Sequence, residues 1–248
     1  MKSGNEAILM ESVYKRYIGN DRYALDNFSL KITKGDFFGL LGPNGSGKST
    51  TISILVGLIK ATKGKISIFG ESVKSVKRRI GLVPQEVALY EDLTLKENMI
   101  LFAKLFGLKR KELKEQLDFA LSIAQLESVS HRKISSFSGG MKRRANIVIA
   151  ILHKPDLLIL DEPTVGVDPQ SRNVIFKCLQ KLNKQGVTML YTTHYLEEAE
   201  KLCSRLAIMD MGKIKLKGSI PELLNSNNKC NSLGELFLNL TGTEVRDS

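Results

Sequence analysis

The hydrophobic positions of this chain change their period along its length. Near the N-terminus apolar and polar residues alternate in AILMESV (Ala7–Val13) and FSLKI (Phe28–Ile32), which predicts strands at a sheet edge. DFFGLL (Asp36–Leu41) is a short apolar run that enters a glycine-rich turn and predicts a buried strand. Ile52, Leu55, Val56 and Ile59 then recur at helical spacing, predicting a helix over Lys48–Ile59. Further strands are predicted at KISIFG, RIGLV, DLLILD, VTMLYTT, RLAIMD and GKIKLKG. An amphipathic helix, Gln170–Lys184, separates DLLILD from VTMLYTT. Strand, helix and strand in succession argue an α/β fold with a parallel sheet and right-handed crossovers.

The middle of the chain reads differently. From Leu93 to about Leu126 the pattern is helical: Thr94 with Glu97 forms a capping box, and Leu113, Leu117, Leu121 and Ala124 share one stripe. This predicts a helical lobe inserted into the α/β core. The tail repeats the capping pattern at Ser219 with Glu222 and at Ser232 with Glu235, predicting two short closing helices.

Composition adds limits. With 248 residues, 42% hydrophobic and 25% charged, the chain can bury a sizeable core. Its longest apolar run, Ile147–Leu152, is far short of the roughly 20 residues of a membrane span. The N-terminus has acidic and polar residues where a signal peptide would be apolar, so a soluble, cytoplasmic protein is expected. Cys178, Cys203 and Cys230 lack metal-ligand spacing and read as reduced thiols, Cys178 on the apolar stripe of Val174, Ile175, Leu179 and Leu182. The net charge of +11 suggests an anionic partner, yet it is scattered, with small clusters at Lys77–Arg79, Lys109–Lys111 and Lys142–Arg144.

Three segments carry candidate chemistry. GPNGSGKST (Gly42, Pro43, Asn44, Gly45, Ser46, Gly47, Lys48, Ser49, Thr50) matches G-x-x-x-x-G-K-[ST] between a predicted strand and a predicted helix. Its glycines let backbone N–H groups converge on phosphate oxygens at a positive helix end. Lys48 is placed to neutralise β- and γ-phosphates, and the Ser49 hydroxyl to ligate Mg²⁺. LLILDEP (Leu157–Pro163) is an apolar strand ending in two acids, which need a reason to stand there. Asp161 is expected to hold Mg²⁺ through its water shell, and Glu162 to act as general base on the attacking water. SFSGGMKRR (Ser136–Arg144) offers a second anion site at a helix start, from the Ser138 hydroxyl and the N–H groups of Gly139 and Gly140. A parallel sheet gathers ligands at the C-terminal ends of its strands, whereas this segment follows the helical lobe. The economical arrangement has it binding the γ-phosphate of a nucleotide held by another copy, two chains sandwiching two ATP molecules about a two-fold axis.

These segments, in this order, resemble the nucleotide-binding subunit of an ABC transporter over nearly the whole chain. The resemblance implies a P-loop NTPase core with a parallel sheet, an N-terminal antiparallel β subdomain and an α-helical subdomain inserted at about residues 86–136. All of these belong to one domain, 1–248, with a helical tail from about 219. It further implies ATP and Mg²⁺ as cofactors and a head-to-tail dimer. By the same resemblance Tyr17 stacks on adenine, with Tyr14 and Tyr23 as rivals. Gln85 contacts Mg²⁺ and the attacking water, His194 senses the γ-phosphate, and Asp168 crosses the dimer interface beside Glu162. His131 and His153 match no family position and read as surface or packing residues.

Met141 stands where the family commonly has glutamine; with the basic run after it and the tail SLGELFLNLTG, it resembles exporters of drugs, lipids or sodium. The implied partners are an integral membrane permease and a second ATPase subunit, a copy or a paralogue, with the chain peripheral on the inner face of the cell membrane. The other class in view is a soluble ATPase of the same superfamily acting on nucleic acid or ribosomes. Against it, the insert shows no sustained heptads, and no aromatic–basic interleaving suggests base stacking, so no nucleic acid is expected as partner. NKQG (Asn183–Gly186) lacks the acidic residue by which a simple GTPase reads its base.

Overall fold

The computed structural model describes residues 4–226 and 232–241. Its elements run β1 (Glu6–Arg16), β2 (Tyr23–Thr33), β3 (Phe37–Leu41), α1 (Lys48–Leu55), β4 (Lys63–Ile68) and β5 (Ile80–Val83). Then come α2 (Leu95–Leu105), α3 (Arg110–Ala124), α4 (Gly139–Ile151), β6 (Leu157–Asp161), α5 (Pro169–Lys184) and β7 (Thr188–Thr193). The chain closes with α6 (Leu196–Leu202), β8 (Arg205–Asp210), β9 (Lys213–Ser219), α7 (Ile220–Ser226) and α8 (Leu233–Thr241). Two compact units divide it: residues 1–77 with 188–248, and residues 78–187.

In the first unit β1 pairs antiparallel with both β2 and β4. Alternation in β1 and β2 is that of a one-sided sheet, with Ile8, Met10, Leu25, Phe28, Leu30 and Ile32 on the buried side. A second sheet is built on β3, which runs parallel to β7 and β8, with β9 antiparallel on β8. All five residues of β3 and all six of β7 are buried, which is why both read as unbroken runs.

The helix predicted over Lys48–Ile59 ends at Leu55. Gly57 takes φ +73°, and the N–H groups of Leu58 and Gly57 donate back to Ser53 O and Ile54 O, a Schellman closure that only a left-handed residue permits readily. The apolar period continues through Val56 and Ile59, but the backbone turns away at the glycine.

The second unit pairs β5 and β6 in parallel, with Val83 opposite Leu160. The predicted helical lobe is α2 and α3, separated by a turn in which Gly107 has φ +79°. The Thr94–Glu97 box forms: the Glu97 N–H donates to Thr94 Oγ1 at 3.1 Å and the Thr94 N–H donates to Glu97 Oε2 at 2.8 Å. The Thr94 N–H bond, with a second from the Thr94 hydroxyl to the same Glu97 oxygen at 2.8 Å, holds the Glu97 carboxyl below its ordinary range. Leu117, Leu121 and Ala124 are buried on α3, and the run Ile147–Leu152 is buried on α4 and just past its end. Cys178 is buried in α5, and that burial pushes its thiol up to about 12, an inert thiol. Cys230 lies outside the described residues. The Ser219–Glu222 and Ser232–Glu235 caps both carry hydrogen bonds, opening α7 and α8.

Candidate nucleotide site

Two sets of residues carry the candidate chemistry, one in each unit. In the first, residues 42–50 leave the C-terminal end of β3. Leu41 pairs in register with Thr193 of β7 and with Ile208 of β8, so the glycine-rich loop and His194 emerge from the same ends of neighbouring strands. The loop rests on the β8–β9 turn, where the Gly212 N–H donates to Ser46 O at 2.9 Å. Gly47, the N-cap of α1, has φ +112°, and a Cβ there would stand 2.6 Å from the carbonyl of Ala24, so no other residue fits. No side chain caps α1, whose first turn carries Lys48, Ser49 and Thr50. Lys48 is 5% exposed, its ammonium donating to Gly42 O at 2.7 Å and Pro43 O at 3.3 Å. Ser46 Oγ is buried with no hydrogen-bond partner, an orphan polar atom inside the loop. Ser49 is exposed on the first turn of α1. An uncapped helix start, a lysine folded over the loop and an orphan hydroxyl fit a polyphosphate.

Tyr17 is the tyrosine that reaches this loop. Its hydroxyl makes a 3.3 Å hydrogen bond with Thr50 Oγ1, and Lys15 Nζ lies 5.0 Å from its ring centroid. Tyr14 and Tyr23 instead pack edge-to-face on each other, 5.7 Å apart. Aromatic stacking contributes about 0.5–1.5 kcal/mol. Tyr17→Ala is therefore expected to weaken ATP binding by no more than about tenfold, with turnover at saturating ATP unchanged, as measured by equilibrium binding and steady-state kinetics.

His194 packs its ring against Tyr195 at 4.2 Å. The segment around it is held by Glu198 of α6, a side chain 2% exposed that accepts from the Tyr191 hydroxyl at 2.7 Å and from Thr193 Oγ1 at 3.0 Å. Thr193 Oγ1 in turn accepts from the Tyr195 N–H at 2.9 Å. Glu198 carries no signal in the sequence, where EEAEKL reads as a solvated acidic turn.

In the second unit Asp161 ends β6 and Glu162 follows it, 7% exposed and with φ +46°. A non-glycine residue in the left-handed region is a strained position of the kind that gathers at functional sites. Gln85 follows the end of β5, the strand beside β6, so these candidates leave neighbouring strand ends. Its loop is fastened by α4: Asn146, 4% exposed, donates to Pro84 O and Glu86 O and accepts from the Ala88 N–H at 3.3 Å. Arg143 donates to the Gln85 carbonyl. Reading along the chain does not reveal these anchors, although one polar residue inside the apolar run ANIVIAIL is a visible signal at Asn146.

Ser138 caps α4, its Oγ accepting from the Met141 N–H at 3.3 Å. The two glycines after it differ. A Cβ on Gly139 would meet nothing within 4 Å, whereas one on Gly140 would stand 2.5 Å from Ser171 Cβ and 3.0 Å from Asp168 Oδ2. Gly140 thus lets the starts of α4 and α5 touch. Asp168 caps α5, accepting from the Ser171 N–H at 2.8 Å, and this bonding holds its carboxyl below the usual range. Among the described residues no group of three or more His, Cys, Asp or Glu side chains gathers for a metal. Ser49 in the first unit and Asp161 in the second are each an oxygen ligand of the kind Mg²⁺ accepts alongside phosphates and water.

The family model described as ABC transporter matches residues 25–165. The chain belongs to the ABC transporter family. It is 42% identical to the linearmycin resistance ATP-binding protein of Bacillus subtilis, over 96% of this chain and 76% of that one. It is 41% identical to Nod factor export ATP-binding protein I of Burkholderia thailandensis, over 89% of this chain and 73% of that one. Among solved structures it resembles an ATP-binding subunit of an ABC transporter, at 31% identity and TM-score 0.85, covering 94% of this chain and 99% of that one. A dimeric ATP-binding cassette bound to ADP and phosphate matches at 28% identity and TM-score 0.76, over 86% of this chain and 98% of that one. This chain has the ABC ATPase fold, and it is an ATPase whose cofactors are ATP and Mg²⁺. His153 matches none of these roles: its Nε2 lies 3.0 Å from Ile80 O and its ring stacks on Phe106 at 4.0 Å, while His131 is exposed.

Proposed function

We propose that this cassette powers an exporter from the inner face of the cell membrane, through a separate membrane-spanning permease. Its relatives are named for export and for resistance, and no helix among the described residues is long and apolar enough to cross a membrane. Two such subunits, two copies or this chain with a paralogue, close head-to-tail around two Mg–ATP. Tyr17 stacks on adenine. Residues 42–50 wrap the phosphates, with Lys48 on the β- and γ-phosphates. Ser49, Gln85 and Asp161 hold Mg²⁺, which neutralises phosphate charge during transfer. Glu162 takes the proton of the attacking water, His194 steadies the γ-phosphate, and Ser138, Gly139 and Gly140 meet the γ-phosphate of the opposite copy beside Asp168. Closing and reopening of this dimer turns the helical lobes and moves the permease between states.

The observation that carries this reading is the start of α4. It is an anion-ready helix end with an open Gly139, placed on a chain that already has one complete phosphate loop. Isolation from native membranes in mild detergent tests it. Recovery with a multi-span protein that stimulates the ATPase is expected. Recovery only in the soluble fraction with nucleic acid or ribosomes attached would replace the permease by the other partner class.

A further inference from the structure

Of the three basic clusters in the sequence, one is spent on tertiary bonds. Lys142 pairs with Glu91, Arg143 donates to the Gln85 carbonyl, and Arg144 donates to the carbonyls of Ala124 and Gln125 at 3.0 and 3.1 Å. In the first cluster Arg79 pairs with Asp156 at 2.6 Å. Lys77, Arg78 and Lys109–Lys111 remain, and within the second unit the fold brings Arg78 and Lys109–Lys111 to one place. Arg78 Nη2 stands 3.9 Å from where a Cβ of Gly107 would be, at the turn between α2 and α3.

Lys104, Lys109, Arg110, Lys111 and Lys114 are exposed around that turn, against one acid in the segment, Glu112. Among the described residues none of these cations, nor Arg78, forms an ion pair. Helix stability accounts for Lys104, in the last turn of α2, but not for Lys109 to Lys111, which open α3, where the helix field disfavours cations. Leu105 projects from the same turn, 69% exposed.

Beside the turn lies a cleft of about 260 Å³ lined by Arg78, Phe106, Glu112, Gln116, His153 and Lys154, among others. Gln116 is only 3% exposed, and its Oε1 has no hydrogen-bond partner. His153 gives its Nε2 proton to Ile80 O, which leaves Nδ1 as an acceptor, buried and also without a partner. The cleft therefore combines two cations with two acceptors that lack donors. A group that is both anionic and hydroxyl-bearing answers each need, and Glu112 is the one lining charge that opposes it.

We propose that the α2–α3 turn docks on an anionic glycerophospholipid surface. Arg78 and Lys154 take the phosphate, and Gln116 and His153 accept from the headgroup hydroxyls. Lys104 and Lys109–Lys111 meet neighbouring headgroups, and Leu105 enters the acyl boundary. The membrane setting rests on the proposed function, but the test contains no permease, so failure of either reading leaves the other standing.

The purified full chain is sedimented with vesicles of phosphatidylcholine alone or mixed with phosphatidylglycerol. Binding to the phosphatidylglycerol vesicles, falling steeply with salt, is expected. Each cation removed costs about fivefold in partition, so Lys109→Gln with Lys111→Gln loses on the order of 25-fold. Leu105→Ser and Arg78→Gln each weaken it further. Lys215→Gln with Lys217→Gln, exposed on β9, removes the same charge elsewhere and is expected to change binding little. Unchanged basal ATPase in every variant shows that each is folded. Equal losses for the two lysine pairs would mean that the +11 net charge binds, not this turn, and would overturn the proposal. So would equal binding to phosphatidylcholine, no binding at all, or free glycerol 3-phosphate binding as tightly as the vesicles.

Discussion

Glu162→Gln is expected to cut ATP turnover by on the order of 10²–10⁴-fold and to leave ATP binding intact. The amide keeps the shape of the carboxylate but cannot accept a proton from water. Glu162 is buried at the end of a buried strand in a left-handed backbone position, so a near-isosteric change keeps the local fold. With hydrolysis blocked, the variant is expected to accumulate as a dimer when ATP and Mg²⁺ are added, read by light scattering on a sizing column. Turnover within a few-fold of the unaltered chain would remove Glu162 from the base role. A variant that binds ATP and stays monomeric would count against the sandwich.

The second large effect belongs to mixed dimers, one chain carrying Lys48→Ala and the other Ser138→Arg. Loss of a charged hydrogen bond of the Lys48 kind is worth about 1.5–3 kcal/mol, or on the order of 10–150-fold in nucleotide affinity at the site concerned. Arginine at 138 removes the α4 cap and fills the space beside the open Gly139. If Ser138 serves the opposite chain, both lesions fall in one site and the other stays clean, so the mixed dimer binds one ATP tightly and retains activity. If Ser138 serves its own chain, each site carries one lesion and neither binds normally. Counting tight ATP per dimer by equilibrium dialysis separates the two, and finding no clean site would sink the across-chain assignment.

Much of this site is legible because its chemistry is local. A phosphate loop needs left-handed glycines, a lysine and a hydroxyl within nine consecutive residues, and each of those requirements is met by residues next to one another. The caps at Thr94, Ser138, Ser219 and Ser232 lie three residues from their partners and are equally plain. The end of α1 was less plain, because apolar spacing continues through Ile59 while Gly57 turns the backbone. Periodicity reports a face to be buried and says little about where the backbone stops being helical.

Other features depend on contacts across long stretches of chain. Asn146 is 60 and 62 residues from the carbonyls it ties down, and looks along the chain like a stray polar residue in an apolar run. Gly140 reads as part of an anion-binding start, yet its missing side chain is required by Ser171 and Asp168 on another helix. The three basic clusters look alike in sequence. Only packing separates Lys142–Arg144, spent on an acid and three carbonyls, from Lys109–Lys111, which stay in solvent.

The glycine-rich loop, the acids at the end of an apolar strand, the second glycine-rich helix start and the order of strands and helices can all be read along the chain. Folding alone shows that Tyr17, 33 residues from Thr50, reaches the loop while Tyr14 and Tyr23 pack edge-to-face on each other. The same holds for Glu198, which braces the His194 segment, and for which cations of the basic clusters find partners. The reason is one of range. Backbone conformation and capping are governed by neighbours within a turn, whereas the partner of a side chain is chosen only when chain closure brings distant segments together.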